Sequence, residues 1–313
     1  MNPIQQGLQE YLALRQSLGY QLRRVRCELG NFVRFLEAEG AAHITTDLAV
    51  RWATQAVGVQ PTTWSWRLGM ARRFAAWLST LDPQTEVPPP GLLPYCYRRP
   101  RPYIYTVEQI ERLVQTAAEL PSPRGLRGHT YSTLFGLLAV TGMRVSEALL
   151  LDGDDVNLAE GVLFLRRTKF GKSRLIYVHP STQTALGAYA AARDSVLPHP
   201  KSEAFFLLER GTRVTHSMAD WTFAQVSRIL GLRPPGKGSG QGPQLHHLRH
   251  SFAVRTLINW YRAGVDVERE IPKLATYLGH VGVRETYWYI ENVPELLHLA
   301  TQRLERRRRE ERL

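Results

Sequence analysis

The chain has 313 residues, 43% apolar and 22% charged, the balance of a folded protein of one large or two ordinary domains rather than a disordered one. A formal charge of +12 calls for a polyanionic partner, nucleic acid before a membrane surface, because no apolar run approaches the roughly 18 residues of a membrane span. The opening segment lacks the basic and apolar blocks of a signal peptide, and Cys27 and Cys96 have no metal-knuckle or disulfide-framework spacing, so a cytoplasmic protein is expected.

Residues 1–80 read as helices. Val25, Leu29, Phe32, Val33 and Leu36 recur at helical spacing, and Met70, Phe74, Trp77 and Leu78 form a second apolar stripe. Arg67, Arg72 and Arg73 flank that stripe, either as a solvated face or as a grip on a DNA backbone. The proline-rich stretch "DPQTEVPPPGLLPYCYRRPRPY" (82–103) cannot continue a helix and carries Arg98, Arg99 and Arg101. It divides the chain into a helical domain (1–85), a basic linker (86–103) and a second domain (104–313). Thr106 with Gln109 forms a capping box that opens the next helix.

The second domain is mixed. "YSTLFGLLAVTG" is a buried helix and "RVSEALLL" a short one, while "GVLFLRR" and "SRLIYVHP" alternate as two strands joined by the turn "TKFGK". "EAFFLL" (203–208) reads as another strand, and everything after residue 244 as helix. The fold class expected is therefore mainly α with a small β-hairpin or sheet, an α+β arrangement.

Several chemical motifs punctuate these elements. Arg144, in the first turn after Gly142, needs a partner because an unpaired buried charge is costly, and Glu147 can supply a structural ion pair. In "HHLRHSF", His246 and Arg249 share a helical face suited to an anion. His246 and His250 have the spacing of a zinc pair, but His247 stands where that motif needs glutamate, so no metal is expected. Only five lysines occur, which draws attention to Lys169 and Lys172 in the hairpin turn, although turn lysines are usually inert. "GKGSGQG" (236–242) lacks the order of a phosphate loop. Tyr277, Tyr287 and Tyr289 lie around "LGH" (278–280), and each taken alone reads as a packing residue.

Taken in order, "TGMRVSE", "TKFGKSR", "HHLRHSF", "LGH" and "TYWYIE" resemble the boxes of the tyrosine recombinase, or phage-type integrase, family. The resemblance is strong over about residues 104–300 and extends to residues 1–90, similar to that family's helical core-binding domain. It implies a C-shaped clamp on double-stranded DNA and a catalytic set of Arg144, Lys169, His246, Arg249, His280 and Tyr289. The nucleophile falls nine positions after the third-box histidine, which selects Tyr289 and leaves Tyr287 to packing. Lys169 is favoured over Lys172, which is left among the DNA contacts with Arg67, Arg72, Arg73, Arg98, Arg99 and Arg101.

The implied reaction leaves a 3′-phosphotyrosine and a free 5′-hydroxyl, with no cofactor. Partners implied are a DNA recombination site, accessory recombinases and three further copies of the chain, which exchange C-terminal helices on two duplexes in a bacterial nucleoid. The stretch between Arg249 and His280 is longer than in the Xer-type resolvases, which fits an integrase of a mobile element better. A type IB topoisomerase-like nicking enzyme and a non-catalytic DNA-binding protein are the alternatives.

Overall fold

In the computed structural model the described residues are 3–95, 101–166, 173–234 and 242–310. They form two compact units, Met1–Pro100 and Arg101–Leu313.

The first unit holds α1 (Pro3–Ser17), α2 (Arg23–Ala38), α3 (Thr46–Thr54) and α4 (Pro61–Leu78). Its starts are written in the sequence. The Thr45 hydroxyl accepts the Leu48 amide to cap α3, and Pro61 opens α4 where its missing N–H costs nothing. Leu29, Phe32, Val33, Leu36, Trp52, Phe74 and Leu78 meet in one buried cluster, so both expected stripes are core. The extended chain after α4 stays attached to this unit. Glu86 accepts the Thr46 amide at 2.7 Å and donates its own amide to Ile44 at 2.8 Å. Arg72 donates to the carbonyls of Pro88 and Pro89 at 2.7 and 2.8 Å.

The second unit starts with α5 (Val107–Ala118), whose Thr106/Gln109 capping box is formed in both directions, followed by α6 (Leu126–Thr141) and the short α7 (Val145–Leu149). A three-stranded antiparallel sheet follows, β1 (Val156–Asn157), β2 (Val162–Leu165) and β3 (Arg174–Tyr177), in the order β1-β2-β3. Leu163, Leu165 and Ile176 point into the core, whereas Phe164, Leu175 and Tyr177 are exposed, the period-two pattern of a half-buried sheet. Helices α8 (Pro180–Val196), α9 (His216–Ile229), α10 (His247–Arg262), α11 (Val267–Leu278), α12 (Arg284–Asn292) and α13 (Pro294–Glu310) complete it.

The third strand is β1, not 203–208. Phe205, Phe206 and Leu207 are all buried, so this run has no exposed alternate face. It makes only isolated bridges, at Asp152–Ala204 and Leu207–Arg213, with the Leu207 amide donating to the Tyr189 hydroxyl.

Two apolar clusters make this unit. One contains Leu134, Phe135, Leu138 and Phe223 under the sheet. The other contains Leu257, Ile271, Leu278, Tyr289 and Leu296 from α10 to α13. Helix α13 packs on α10 and α12 of its own chain, with Arg262 bonded to Glu295 at 2.8 Å. Among the described residues no helix is long and apolar enough to cross a membrane.

Candidate active site

The two apolar clusters meet at helix ends, and arginines occupy the seam. The last carbonyls of an α-helix have no intrahelical donor and carry the negative end of the macrodipole. Arg249, in the first turn of α10 and 3% exposed, donates Nη1 to the Gly142 carbonyl after α6 at 2.8 Å. Its Nη2 donates to the Leu278 carbonyl at the end of α11 at 2.7 Å. Burial and the neighbouring Arg144 charge pull its pKa down to about 10, which still leaves it charged at neutral pH.

Arg144 sits at the N-cap of α7, half-buried, with Nη2 on the Gly279 carbonyl at 2.6 Å and Nη1 on Glu147 at 2.7 Å. The same carboxylate accepts the Arg144 amide at 2.8 Å and two bonds from Arg174 of β3, at 3.0 and 2.8 Å. Burial works against the Glu147 charge, but hydrogen bonds from Arg174 and Arg144 outweigh it and hold its pKa below the ordinary carboxylate value. Glu147 is thus the shared counter-ion of two guanidinium groups, which fixes Arg144 in place.

Two glycines make the seam narrow enough. Gly142 adopts φ +61°, and a Cβ there would enter the Phe252 ring. Gly279 adopts φ +67°, and its Cβ would stand 2.7 Å from Nη1 of Arg174 and 3.2 Å from Nη1 of Arg144. The glycine of "LGH" therefore closes α11 and leaves room for both arginines.

Tyr289 is 1% exposed on α12, with its hydroxyl 2.9 Å from Nδ1 of His250 on α10. It is close enough to Arg249 for its charge to raise that arginine's pKa. Tyr287 is 37% exposed, so the expectation that it is a packing residue does not hold. The reason is helical phase: Thr286, Tyr289 and Val293 fall at spacings of three and four on the face against the core, and Tyr287 does not.

His280 follows Gly279, its side chain 7% exposed, with Nδ1 2.8 Å from the Thr286 hydroxyl and Nε2 4.0 Å from Glu285. His246 is exposed at the start of α10, its ring 4.7 Å from that of His250. With Arg144, Ser146, Arg228 and Arg233 it lines a cleft of about 1040 Å³. Lys169 and Lys172 lie outside the described residues, as do Arg98 and Arg99. Among the described residues no group of three His, Cys, Asp or Glu is placed to hold a metal.

The structure thus gathers Arg144, Arg249 and Tyr289 around one seam, with His280 following Gly279 and His246 on the adjoining cleft. Three members are invisible to the motif reading. The sequence offers His250 only as a zinc partner for His246, although its place next to Arg249 puts it on the same helix turn. Arg174 carries no signal beyond strand alternation, and Gly279 none beyond the "LGH" itself.

The arginines expected to contact DNA are placed differently. Arg67 is 13% exposed, stacks 4.2 Å over Trp52 and lies 3.7 Å from Glu28, while Arg72 is spent on Pro88 and Pro89. Arg73 and Arg101 are exposed.

The sequence pattern of the phage integrase family matches residues 104–295. The chain is 44% identical to a Sinorhizobium fredii protein carrying the name integrase/recombinase y4rB, over 98% of each chain. It is 29% identical to the tyrosine recombinase XerC of Herpetosiphon aurantiacus, over 91% of this chain and 90% of that one. Among solved structures, the integrase of transposon Tn1549 shares the fold with a TM-score of 0.62 at 16% identity, covering 96% of this chain and 98% of that one.

Proposed function

The chain belongs to the phage integrase family, as a tyrosine-type site-specific DNA recombinase, and on that premise we propose that Tyr289 is its nucleophile. The observation that carries this is the seam itself: two guanidinium groups charged at neutral pH, each held on a helix-end carbonyl, beside the helix that bears Tyr289. Arg144 and Arg249 keep unused N–H donors that fork onto the non-bridging oxygens of a phosphodiester and neutralise the charge gathering there. His280 adds a donor at its edge. Lys169, whose proton can leave, is the acid for the departing 5′-oxygen, a role an arginine fills poorly.

Attack forms an O–P bond to Tyr289 and breaks the bond to the 5′-oxygen. The ester conserves the bond energy, so a 5′-hydroxyl from a second duplex reverses the step and joins the exchanged strands without ATP. The natural partners are double-stranded DNA bearing a recombination site and further copies of the chain, four on two duplexes, with α13 released from its own chain to a neighbour. The similarity to y4rB and to a transposon integrase, together with the long stretch before His280, favours a mobile element as the DNA that is moved. Of the arginines expected to contact DNA, Arg73 and Arg101 are exposed among the described residues and available to phosphates.

The test is a set of nicked suicide duplexes tiled across the DNA flanking the gene. Wild type is expected to leave a covalent adduct with one duplex, and Tyr289→Phe none. An adduct that persists in Tyr289→Phe, or that maps to Tyr287, overturns the assignment. Cleavage with relaxation but no strand exchange between paired sites would favour a nicking enzyme.

A further inference from the structure

A phenol with an ordinary pKa of about 10 is a poor nucleophile at neutral pH, and an active one needs a base within hydrogen-bond reach. The Tyr289 hydroxyl lies 2.9 Å from Nδ1 of His250, a ring nitrogen buried with it. His246 is exposed and lines the cleft, its ring 4.7 Å from that of His250. We propose that His250 is the proton acceptor for Tyr289, a catalytic residue additional to the six motif positions. This inference rests on the reading of Tyr289 as nucleophile.

The step balances without any other reagent. The hydroxyl proton passes to Nδ1 of His250 as the phenol oxygen bonds to phosphorus, the bond to the 5′-oxygen breaks, and that oxygen takes its proton from the acid, Lys169. On religation the 5′-hydroxyl attacks, the Tyr289 oxygen leaves, and the imidazolium of His250 returns the proton. The surroundings suit a ring that must alternate between states. His246 and His247 stand 4.7 and 5.7 Å away on its own helix, and Trp288 and Tyr289 approach from α12 at 5.7 and 5.4 Å. Arg249 is adjacent in sequence but directs both its terminal nitrogens to carbonyls.

The role demands a particular tautomer, because only a bare Nδ1 can accept. Two-bond proton–nitrogen NMR spectra of the whole protein should show His250 with Nδ1 unprotonated at neutral pH. A proton on that nitrogen would make it a donor to Tyr289 and overturn the proposal, with no DNA needed.

The second arm uses the nicked duplexes. His250→Asn keeps a hydrogen-bonding atom near the position of Nδ1 but cannot carry a proton, and His250→Ala removes both. Adduct formation is expected to fall about 100-fold or more in both variants at neutral pH. The loss should shrink as pH rises toward the phenol's own pKa, and a bridging 5′-phosphorothiolate, which bypasses the acid, should not restore it. If His250→Asn cleaves at the wild-type rate, the ring merely holds Tyr289, and if either variant cleaves faster, it is a latch; both results overturn the proposal. If wild type itself forms no adduct with any duplex, the reading of Tyr289 fails, and the tautomer experiment still decides whether the ring can accept a proton.

Discussion

The same side chain does opposite work in the two units. In the first, Arg67 lies over Trp52 and Arg72 ties down the Pro88–Pro89 backbone, so the guanidinium groups act as packing and fastening. In the second, Arg144 and Arg249 are anchored by a few bonds to rigid helix ends, and the rest of each fork is left for a ligand. A planar group with five donors permits both uses. What separates them is where the anchors lie: an aromatic face and an extended proline-rich chain in the first unit, the carbonyl ends of helices in the second.

The largest difference should come from Arg249→Ala. Removing this side chain strips the Gly142 and Leu278 carbonyls of a buried donor, at a cost on the order of 1–3 kcal/mol each, and cleavage should fall by about 100-fold or more. Denaturant melts together with adduct rates would show it, and a variant with near-normal cleavage would break the comparison. Next comes Gly279→Ala, in which the new Cβ crowds Arg174 and Arg144 in a left-handed backbone conformation. Cleavage should drop at least tenfold while DNA affinity is largely kept, and equal losses in both would mean that the arginines bind without orienting.

A smaller effect is expected from pH. Because the folded pKa of Glu147 lies below its ordinary value, its contribution to stability is complete above the ordinary carboxylate range. That contribution is lost as pH falls through that range toward the lowered pKa. Glu147→Gln should therefore flatten the acid limb of a stability–pH curve, and an unchanged limb would contradict the shared counter-ion. The smallest effect belongs to the first unit. Arg67→Ala should destabilise by about 0.5–1 kcal/mol through the lost contact with Trp52, and should weaken DNA binding less than Arg73→Ala does. The reverse ranking in a binding titration would put Arg67 on the DNA.

Much of this was legible in the chain. Local signals carried the helices, because Thr45, Pro61 and the Thr106/Gln109 box act within one turn, and the apolar stripes are set by phase. The motif order singles out Arg144 and Arg249, but not what holds them. Glu147 was foreseen as a partner of Arg144, three residues away, whereas Arg174 reaches the same carboxylate from 27 residues along the chain. The reading of Tyr287 as packing failed because both tyrosines sit in one helix and its phase relative to the core was not visible from the motif. The 203–208 run failed for a related reason, since continuous burial and a buried strand look alike in one dimension.

The anchors of the seam also bear on how the protein is made. Arg144 bonds to a residue 135 positions later, Arg249 to one 107 positions earlier, and His250 meets Tyr289 across 39. Contacts of such high sequence separation form late, after most of the loop-closure entropy has been spent. A ribosome-bound or half-refolded chain therefore has an unplaced tyrosine and scattered arginines, and the seam exists only once the second unit has closed.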